Sequence, residues 1–271
     1  MCEQTSVQPA SRLAGYLKDW RGSLGRLRWK AVRRLAPRRM VSSRGLRFSM
    51  HCDNWILHYR WQSFNDKEPE TLDWIDQCLR DGDTFFDIGA NVGIYSLYAA
   101  LRHPGLRVVA FEPEYANLHV LRDNVIENHL QERVHIFGLA LSNRCGVSHL
   151  HIQEFLPGAA LNTEFPGPLE HTLMGRQVLW QEGICTFTLD EFCAQTGFQP
   201  HGLKIDVDGT EARVLEGGLH TLRSPALRSL IIELQGQDRK PCEERLQAAG
   251  LRRVWQDPHH FSSNEVWVRD V

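Results

Sequence analysis

Asp87-Ile88-Gly89-Ala90-Asn91-Val92-Gly93 sets two glycines where an apolar run gives way to a helical pattern. Thr84-Phe85-Phe86 before it reads as a buried strand, and Ile94 to Leu101 after it reads as a helix. A tight turn between them lets backbone approach a ligand closely and aims free N–H groups at it. Beyond the helix, Val108-Val109-Ala110-Phe111 is a second apolar run, and it ends in Glu112. Strand, glycine turn, helix, strand, acid is the layout of a nucleotide-type cofactor site, the acid gripping ribose hydroxyls.

The rest of the chain extends that alternation. Leu46–Met50 and Trp55–Trp61 alternate around Cys52-Asp53-Asn54 and predict a β-hairpin, followed by a helix over 68–80 that Asp81-Gly82-Asp83 stops. Strands are expected at 84–88, 107–112, 133–140, 203–207 and 229–234, with helices at 92–102, 114–129, 190–196, 211–222 and 241–249. A small hairpin is expected around Arg144-Cys145-Gly146, and two closing strands near 251–256 and 264–269. Residues 155–183 carry glycines and prolines without periodicity and read as a long loop. Repeated βα units specify an α/β fold with a doubly wound, mostly parallel sheet, and the closing strands give it an antiparallel edge. The expected organisation is a basic N-terminal extension (1–45), a hairpin and helix leading into the core (46–82), and a catalytic domain (83–271) with a variable loop at 155–183.

Charge is segregated along the chain. In the first 47 residues twelve arginines and lysines face two acids, which leaves 19 basic against 31 acidic residues beyond. An acidic body argues against a nucleic-acid surface there, although the head could touch polyanions. After ten residues read as disordered, Leu13, Leu17, Trp20, Leu24, Leu27, Ala31 and Leu35 recur at helical spacing, so residues 12–35 predict an amphipathic helix ended by Pro37. Its arginine face suits an anionic membrane surface or a partner helix. Such stripes are more often packed on the main domain, which is the favoured reading. No apolar run reaches the roughly 20 residues of a membrane span, and no secretory h-region precedes the body. Seven cysteines without a C-x-x-C pair fit reduced thiols and a cytoplasmic location, with association at a membrane surface as the further option.

Each expected strand ends in polar residues: Asp87, Glu112-Pro113, Ser142-Asn143, Asp206-Val207-Asp208-Gly209 leading to Glu211, and Glu233. Open α/β sheets bind ligands beyond such ends. Asn91 stands where a dinucleotide fingerprint has its middle glycine, which disfavours a NAD pyrophosphate. It suits a smaller cofactor whose amino-acid end needs polar partners.

In order along the chain, Asp87–Ser96, Ala110-Phe111-Glu112-Pro113 with Asn124 and Asn128, and Ala140–Asn143 resemble the FkbM-type methyltransferases. So do Thr188–Phe192, Leu203–Glu211 and Val214–Gly217, and the likeness covers about residues 83–235. The resemblance implies a Rossmann-like class I fold with a seven-stranded sheet, S-adenosylmethionine as cofactor, and methylation of a hydroxyl on a sugar, glycan or secondary metabolite. It implies that Gly89, Asn91 and Gly93 hold the methionine part of the cofactor and that Asp87 accepts from its ammonium group. Glu112 would take both ribose hydroxyls, and Ser142 and its neighbours would border the adenine. The structural alternatives are Asp87 as a helix-entry acid and Glu112 as a capping carboxylate.

An alcohol is a weak nucleophile at neutral pH, so a base within hydrogen-bond reach should take its proton. Asp206 and Asp208 are placed nearest the expected methyl group, and Glu211 sits in the first turn of the next helix. Lys204 lies inside an apolar strand, where a charge needs a partner, here Asp206 or Glu233. Asp206 or Glu211 is therefore the expected base and Lys204 its positioning residue. Glu211 reads equally well as a stabiliser of its helix N-terminus. The pair 206 and 208 would also suit Mg²⁺, on weak spacing evidence. His149-x-His151 and His259-His260 lack a companion ligand set, so no metal site is assigned. Trp180, Phe165 and His171 could cover an acceptor. The competing readings are a nucleic-acid methyltransferase, whose Asn-Pro-Pro-aromatic signature is missing after the fourth strand, and a non-catalytic protein that keeps the cofactor fold.

Overall fold

Alternation decides how the central strand is buried. Phe85 packs into one apolar cluster with Val108 and Tyr98, while Phe86 packs into a second with Val109 and Phe192. A strand buried on both faces reads as a continuous apolar run, and helices must cover it on both sides.

The computed structural model describes residues 27–28, 35, 37–160, 162–165, 172–173, 176–234, 236, 239–256 and 263–270. The chain divides into two units, Met1–Arg38 and Arg39–Val271. The expected amphipathic helix over 12–35 lies outside the described residues, apart from 27, 28 and 35, which are helical. The expected disorder of residues 1–10, His171 and His259-His260 also lie outside them.

Strands β1 (Arg38–Ser43) and β2 (Leu46–His51) come first, then helices α1 (Trp55–Gln62) and α2 (Pro69–Cys78). Next come β3 (Thr84–Ile88), α3 (Ile94–Arg102), β4 (Arg107–Phe111), α4 (Tyr115–Glu127) and β5 (Val134–Phe137). An inserted stretch holds β6 (Ala140–Leu141), β7 (Gly146–Ile152), β8 (Thr163–Phe165), the short strands β9 (Thr172–Leu173) and β10 (Arg176–Gln177), and β11 (Trp180–Phe187). The chain closes with α5 (Leu189–Thr196), β12 (Gly202–Ile205), α6 (Glu211–Glu216), α7 (Leu219–Arg223), β13 (Ser229–Glu233), α8 (Arg239–Ala248), β14 (Leu251–Gln256) and β15 (Asn264–Arg269).

The main sheet has seven strands in the order β14-β15-β13-β12-β3-β4-β5, parallel from β13 to β5, with β15 antiparallel to both β13 and β14. This is the expected doubly wound sheet and its antiparallel edge. After β3 the chain builds outward through β4 and β5, then returns to lay β12 on the other side of β3. The order of strands reverses there, and ligands of such sheets bind at that reversal.

Four local expectations need correction. The hairpin turns at Arg44-Gly45, both at positive φ, so it pairs β1 with β2, and Trp55–Gln62 is helical. Asn54 ends the extended stretch, its side chain accepting from the N–H groups of Ile56 and Leu57 as a helix cap. Residues 155–183 are not all loop: β8 and part of β11 fall there, in a four-stranded sheet ordered β6-β11-β7-β8. The supposed hairpin at 144–146 does not pair its own arms, because β6 runs parallel to β11 while β7 runs antiparallel to it. Finally, the helix expected over 211–222 breaks at Gly217-Gly218, where Cβ atoms would meet the Ser142 carbonyl and Leu189 at 2.2 and 2.8 Å.

Candidate active site

The turn after β3 is built so that only glycine fits at two points. Gly89 has φ +79°, and a Cβ there would lie 1.8 Å from the Asp206 carbonyl oxygen. Gly93 has φ +81°, with Leu121 Cδ1 at 2.1 Å from such a Cβ. The loops after β3 and β12 therefore touch backbone to backbone at the reversal of strand order.

The turn differs from expectation in one respect: its amides are not free. Gly89 and Ala90 donate to the Phe111 carbonyl at 3.1 and 2.9 Å, and Gly93 donates to Ala90. Asn91 N–H donates to Glu112 Oε2 at 2.8 Å, and Val92 N–H to Asn91 Oδ1 at 3.0 Å. A pyrophosphate would find no amide available between 89 and 93. What lines the cleft instead is Glu112, whose other oxygen accepts from Glu114 N–H at 2.9 Å. Burial pushes the Glu112 carboxyl up to about 7, against the pull of the Glu114 and Asn91 amides. A carboxylate has about four acceptor positions, so the two backbone amides do not exhaust it.

Asn91, at φ +51°, has its side chain committed elsewhere: Nδ2 donates to the Ala159 carbonyl at 2.7 Å. It is one of four side chains that pin the segment 157–159. Asn54 Nδ2 and Arg60 Nε donate to the carbonyls of Pro157 and Gly158 at 3.0 and 2.6 Å, and Asn117 Oδ1 accepts from Gly158 N–H at 2.7 Å. This strap forms one wall of the cleft that also contains Glu112.

Parallel register explains the charged centre. Lys204 of β12 pairs with Asp87 of β3, and Asp206 lies two residues on along the same face. Lys204 Nζ donates to Asp206 Oδ2 at 2.9 Å and lies 3.9 Å from Asp87 Oδ1 and 5.3 Å from the Tyr95 ring centroid. Burial alone would lower the lysine, but Asp206, Asp87 and Glu68 outweigh it and hold its pKa above the ordinary value. Burial would raise Asp206, yet the Lys204 charge and hydrogen bond bring it down to about 2, with a bond to Glu233 acting the same way. Asp87 is fully buried and accepts from Ser96 Oγ at 2.6 Å. Burial raises its carboxyl despite Lys204.

Two adjoining cavities meet over the Gly89 turn and share Gly89, Asn91, Asp206 and Asp208. One runs toward Glu112 and the apolar side chains of Phe111, Leu139 and Leu141. The other is lined by Arg60, Glu68, Tyr95, Lys204 and Glu233. Glu211 lines neither cavity, and its Oε1 accepts from the N–H groups of Val207 and Gly209 at 3.2 Å each. Burial raises its carboxyl, and those amides oppose the rise. Ser142 follows β6 of the inserted sheet rather than a strand of the main one, and its hydroxyl donates to Glu164 at 3.2 Å, so Leu139–Leu141 form the cleft wall there. Glu164, Arg60 and Glu68 escaped the sequence pattern, since they lie on elements that no strand end marks.

Trp180 is exposed, and Phe165 lies under the Arg213 guanidinium at 5.7 Å. Among the described residues no group of three or more His, Cys, Asp and Glu is arranged to hold a metal ion, and no helix is long and apolar enough to cross a membrane.

Residues 87–252 match the family described as "Methyltransferase FkbM domain". The chain is 32% identical over 180 residues to the 31-O-demethyl-FK506 methyltransferase FkbM of Streptomyces tacrolimicus, covering 59% of this chain and 68% of that protein. A 57-residue stretch is 44% identical to the AMB antimetabolite synthetase AmbE of Pseudomonas aeruginosa, 21% of this chain and 3% of that one. Among solved structures, the methyltransferase FkbM from Methylobacillus flagellatus KT is similar in fold, with a TM-score of 0.50 at 14% identity. That likeness covers 70% of this chain, which spans less than half, 44%, of the solved one.

Proposed function

This chain belongs to the FkbM methyltransferase family, and from that premise we propose that it is an S-adenosylmethionine-dependent O-methyltransferase acting on a hydroxyl of a sugar, glycan or secondary metabolite. The observation that carries the cofactor reading is Glu112, a buried carboxylate held by two backbone amides at the mouth of the strand reversal, beside a glycine turn with no amide left for phosphate. The name of the Streptomyces relative, a 31-O-demethyl-FK506 methyltransferase, supports oxygen as the acceptor atom.

Glu112 takes the ribose hydroxyls, and Gly89 lets the turn after β3 close against the Asp206 backbone. Gly93 and Asn91 shape the turn, Asn91 through the strap it holds. Asp87 stands behind Lys204, too deep for direct contact, and reaches the cofactor's ammonium only through water. When bound, the cofactor supplies a methyl group on a sulfonium that departs as a neutral thioether. What remains for the protein is alignment and exclusion of water. Asp206, 28% exposed toward the shared part of the cleft, accepts the hydrogen bond of the incoming hydroxyl and would take its proton as the new C–O bond forms, and Lys204 fixes its orientation. Glu211 holds the 207–209 turn that carries Asp208.

Calorimetry with S-adenosylhomocysteine and, separately, NAD tests the cofactor. Micromolar binding of the first and none of the second is expected, and indifference to S-adenosylhomocysteine would overturn the reading. Labelled S-adenosylmethionine with a panel of glycans, glycolipids and hydroxylated metabolites then tests the acceptor class, and methyl uptake by nucleic acid alone would replace it.

A further inference from the structure

Glu164 is a buried carboxylate that the proposed reaction does not use. It sits on β8, an edge strand of the inserted sheet, with 5% of its surface exposed, and it lines the same cleft as Glu112. Three donors converge on it. Ser148 Oγ donates to Oε1, while Ser142 Oγ and Arg213 Nη1 donate to Oε2 at 3.2 and 3.0 Å. The donors come from β7, from the end of β6 and from α6, so the carboxylate is fixed from three directions. Thr163 Oγ1, donating to the Asp208 carbonyl at 3.1 Å, ties the same strand to the loop after β12.

That arrangement exceeds what a plain ion pair requires. A buried charge is costly, and removing the cost needs only its partners. Here the carboxylate also remains at the wall of a cleft that Phe111, Leu139, Leu141 and Leu150 line together with polar residues such as Asn117, Asn162 and Thr210. Three donors occupy three of about four acceptor positions, which leaves Oε1 able to accept once more. Apolar side chains beside a rigidly held acceptor suit a heteroaromatic ring carrying an N–H donor, and they penalise a ring that lacks one.

We propose that Glu164 is a specificity residue for the cofactor's base, accepting a hydrogen bond from the exocyclic amine of adenine, with Ser142, Ser148 and Arg213 as its positioning residues. The assignment rests on the cofactor reading above, with Glu112 taking the ribose of the same nucleoside. On this assignment the inserted sheet supplies the base-reading group that the loop after β5, Gly138-Leu139, does not carry.

The test compares S-adenosylhomocysteine with its 6-deamino analogue, in which hydrogen replaces the amine, by calorimetry on the full chain. The unaltered protein should bind the analogue roughly 10- to 100-fold more weakly, the worth of one hydrogen bond to a charged group. E164Q should bring the two affinities closer together while circular dichroism stays unchanged. Equal affinities in the unaltered protein would overturn the assignment whether or not the variant folds. A variant that weakens both ligands by the same factor would also overturn it, since that marks a purely structural carboxylate. No binding of S-adenosylhomocysteine at all would remove the cofactor reading and this assignment together, whereas equal binding of both ligands removes only the assignment.

Discussion

Lys204 donates to Asp206 across 2.9 Å at the end of the fourth parallel strand, with only 5% of the lysine side chain exposed. Asp87 lies 3.9 Å behind it, so one ammonium serves two carboxylates from adjacent strands. Removing one partner from a buried set leaves the others uncompensated. Lys204→Met should therefore destabilise the protein by about 3–5 kcal/mol in urea unfolding. The sign of the pH dependence follows from Asp206, held at about 2 against an ordinary 3.8. A depressed carboxyl contributes stability that is present above its unfolded value and lost as pH falls through its folded one. The gap between the two proteins should accordingly narrow between about pH 4 and 2, and a gap that widens there would contradict the pairing.

Asp206→Asn keeps the shape and removes the charge that, on the proposed function, orders an incoming hydroxyl. Turnover should fall by about 100-fold or more with an acceptor found by screening, the range of general-base contributions. Affinity for S-adenosylhomocysteine should change by less than about tenfold. Undiminished turnover would take Asp206 out of the reaction.

Glu112 shows the opposite pH behaviour. Its folded pKa is raised from 4.5 to about 7, so the folded state keeps a proton that the unfolded chain releases. Stability should then decline as pH rises from about 4.5 to 7, by about 3 kcal/mol in all, and level off above. Ribose hydroxyls favour the ionised form. Affinity for S-adenosylhomocysteine should therefore rise with pH, at most about tenfold per unit, up to about pH 7. Glu112→Gln should abolish both slopes. An affinity that is flat from about pH 5 to 8 would show that the carboxyl does not meet the ribose.

Gly89 and Gly82 separate backbone conformation from lack of space. Both have positive φ, but a Cβ at Gly82 meets nothing within 4 Å, whereas at Gly89 it would overlap the Asp206 carbonyl. Gly82→Ala should cost about 1–2 kcal/mol, the left-handed penalty alone. Gly89→Ala should cost about 3 kcal/mol or more and lose cofactor binding. Equal thermal shifts for the two would refute the contact between the β3 and β12 loops.

The strap at 157–159 depends on Asn117, which accepts from Gly158 N–H and donates to the Ala159 carbonyl at 2.7 and 3.3 Å. Asn117→Ala should leave the global unfolding midpoint within a few degrees but expose the strap. Limited proteolysis should then cut near 155–160 faster than in the unaltered protein, and S-adenosylhomocysteine should dissociate faster. Unchanged cleavage would mean that the other three side chains hold the segment without it.

Much of this was readable in one dimension because the main sheet is made of local βα units. The runs 84–88, 251–256 and 264–269 coincide with strands to the residue, and Glu112 follows β4 directly. The lysine inside an apolar strand announced a buried pair with Asp206 or Glu233, and the structure chose Asp206 while the register added Asp87. The inserted sheet was hidden, since β7, β8 and β11 pair across long separations and β11 alternates only weakly between faces. Trp55–Gln62 misled in another way: its alternating pattern suits a strand, and the Asn54 cap decided for helix.

Periodicity and glycine placement, which act over a few residues, were sufficient to specify a doubly wound parallel sheet and the glycine turn at its strand reversal. Where the side chains of Asn91, Ser142, Glu164 and Glu211 point was settled only by folding. Each is claimed by a partner distant in sequence or by a turn whose shape the neighbouring strands impose. Hydrogen bonds are directional and short, so such choices belong to three-dimensional proximity and leave no trace in local spacing.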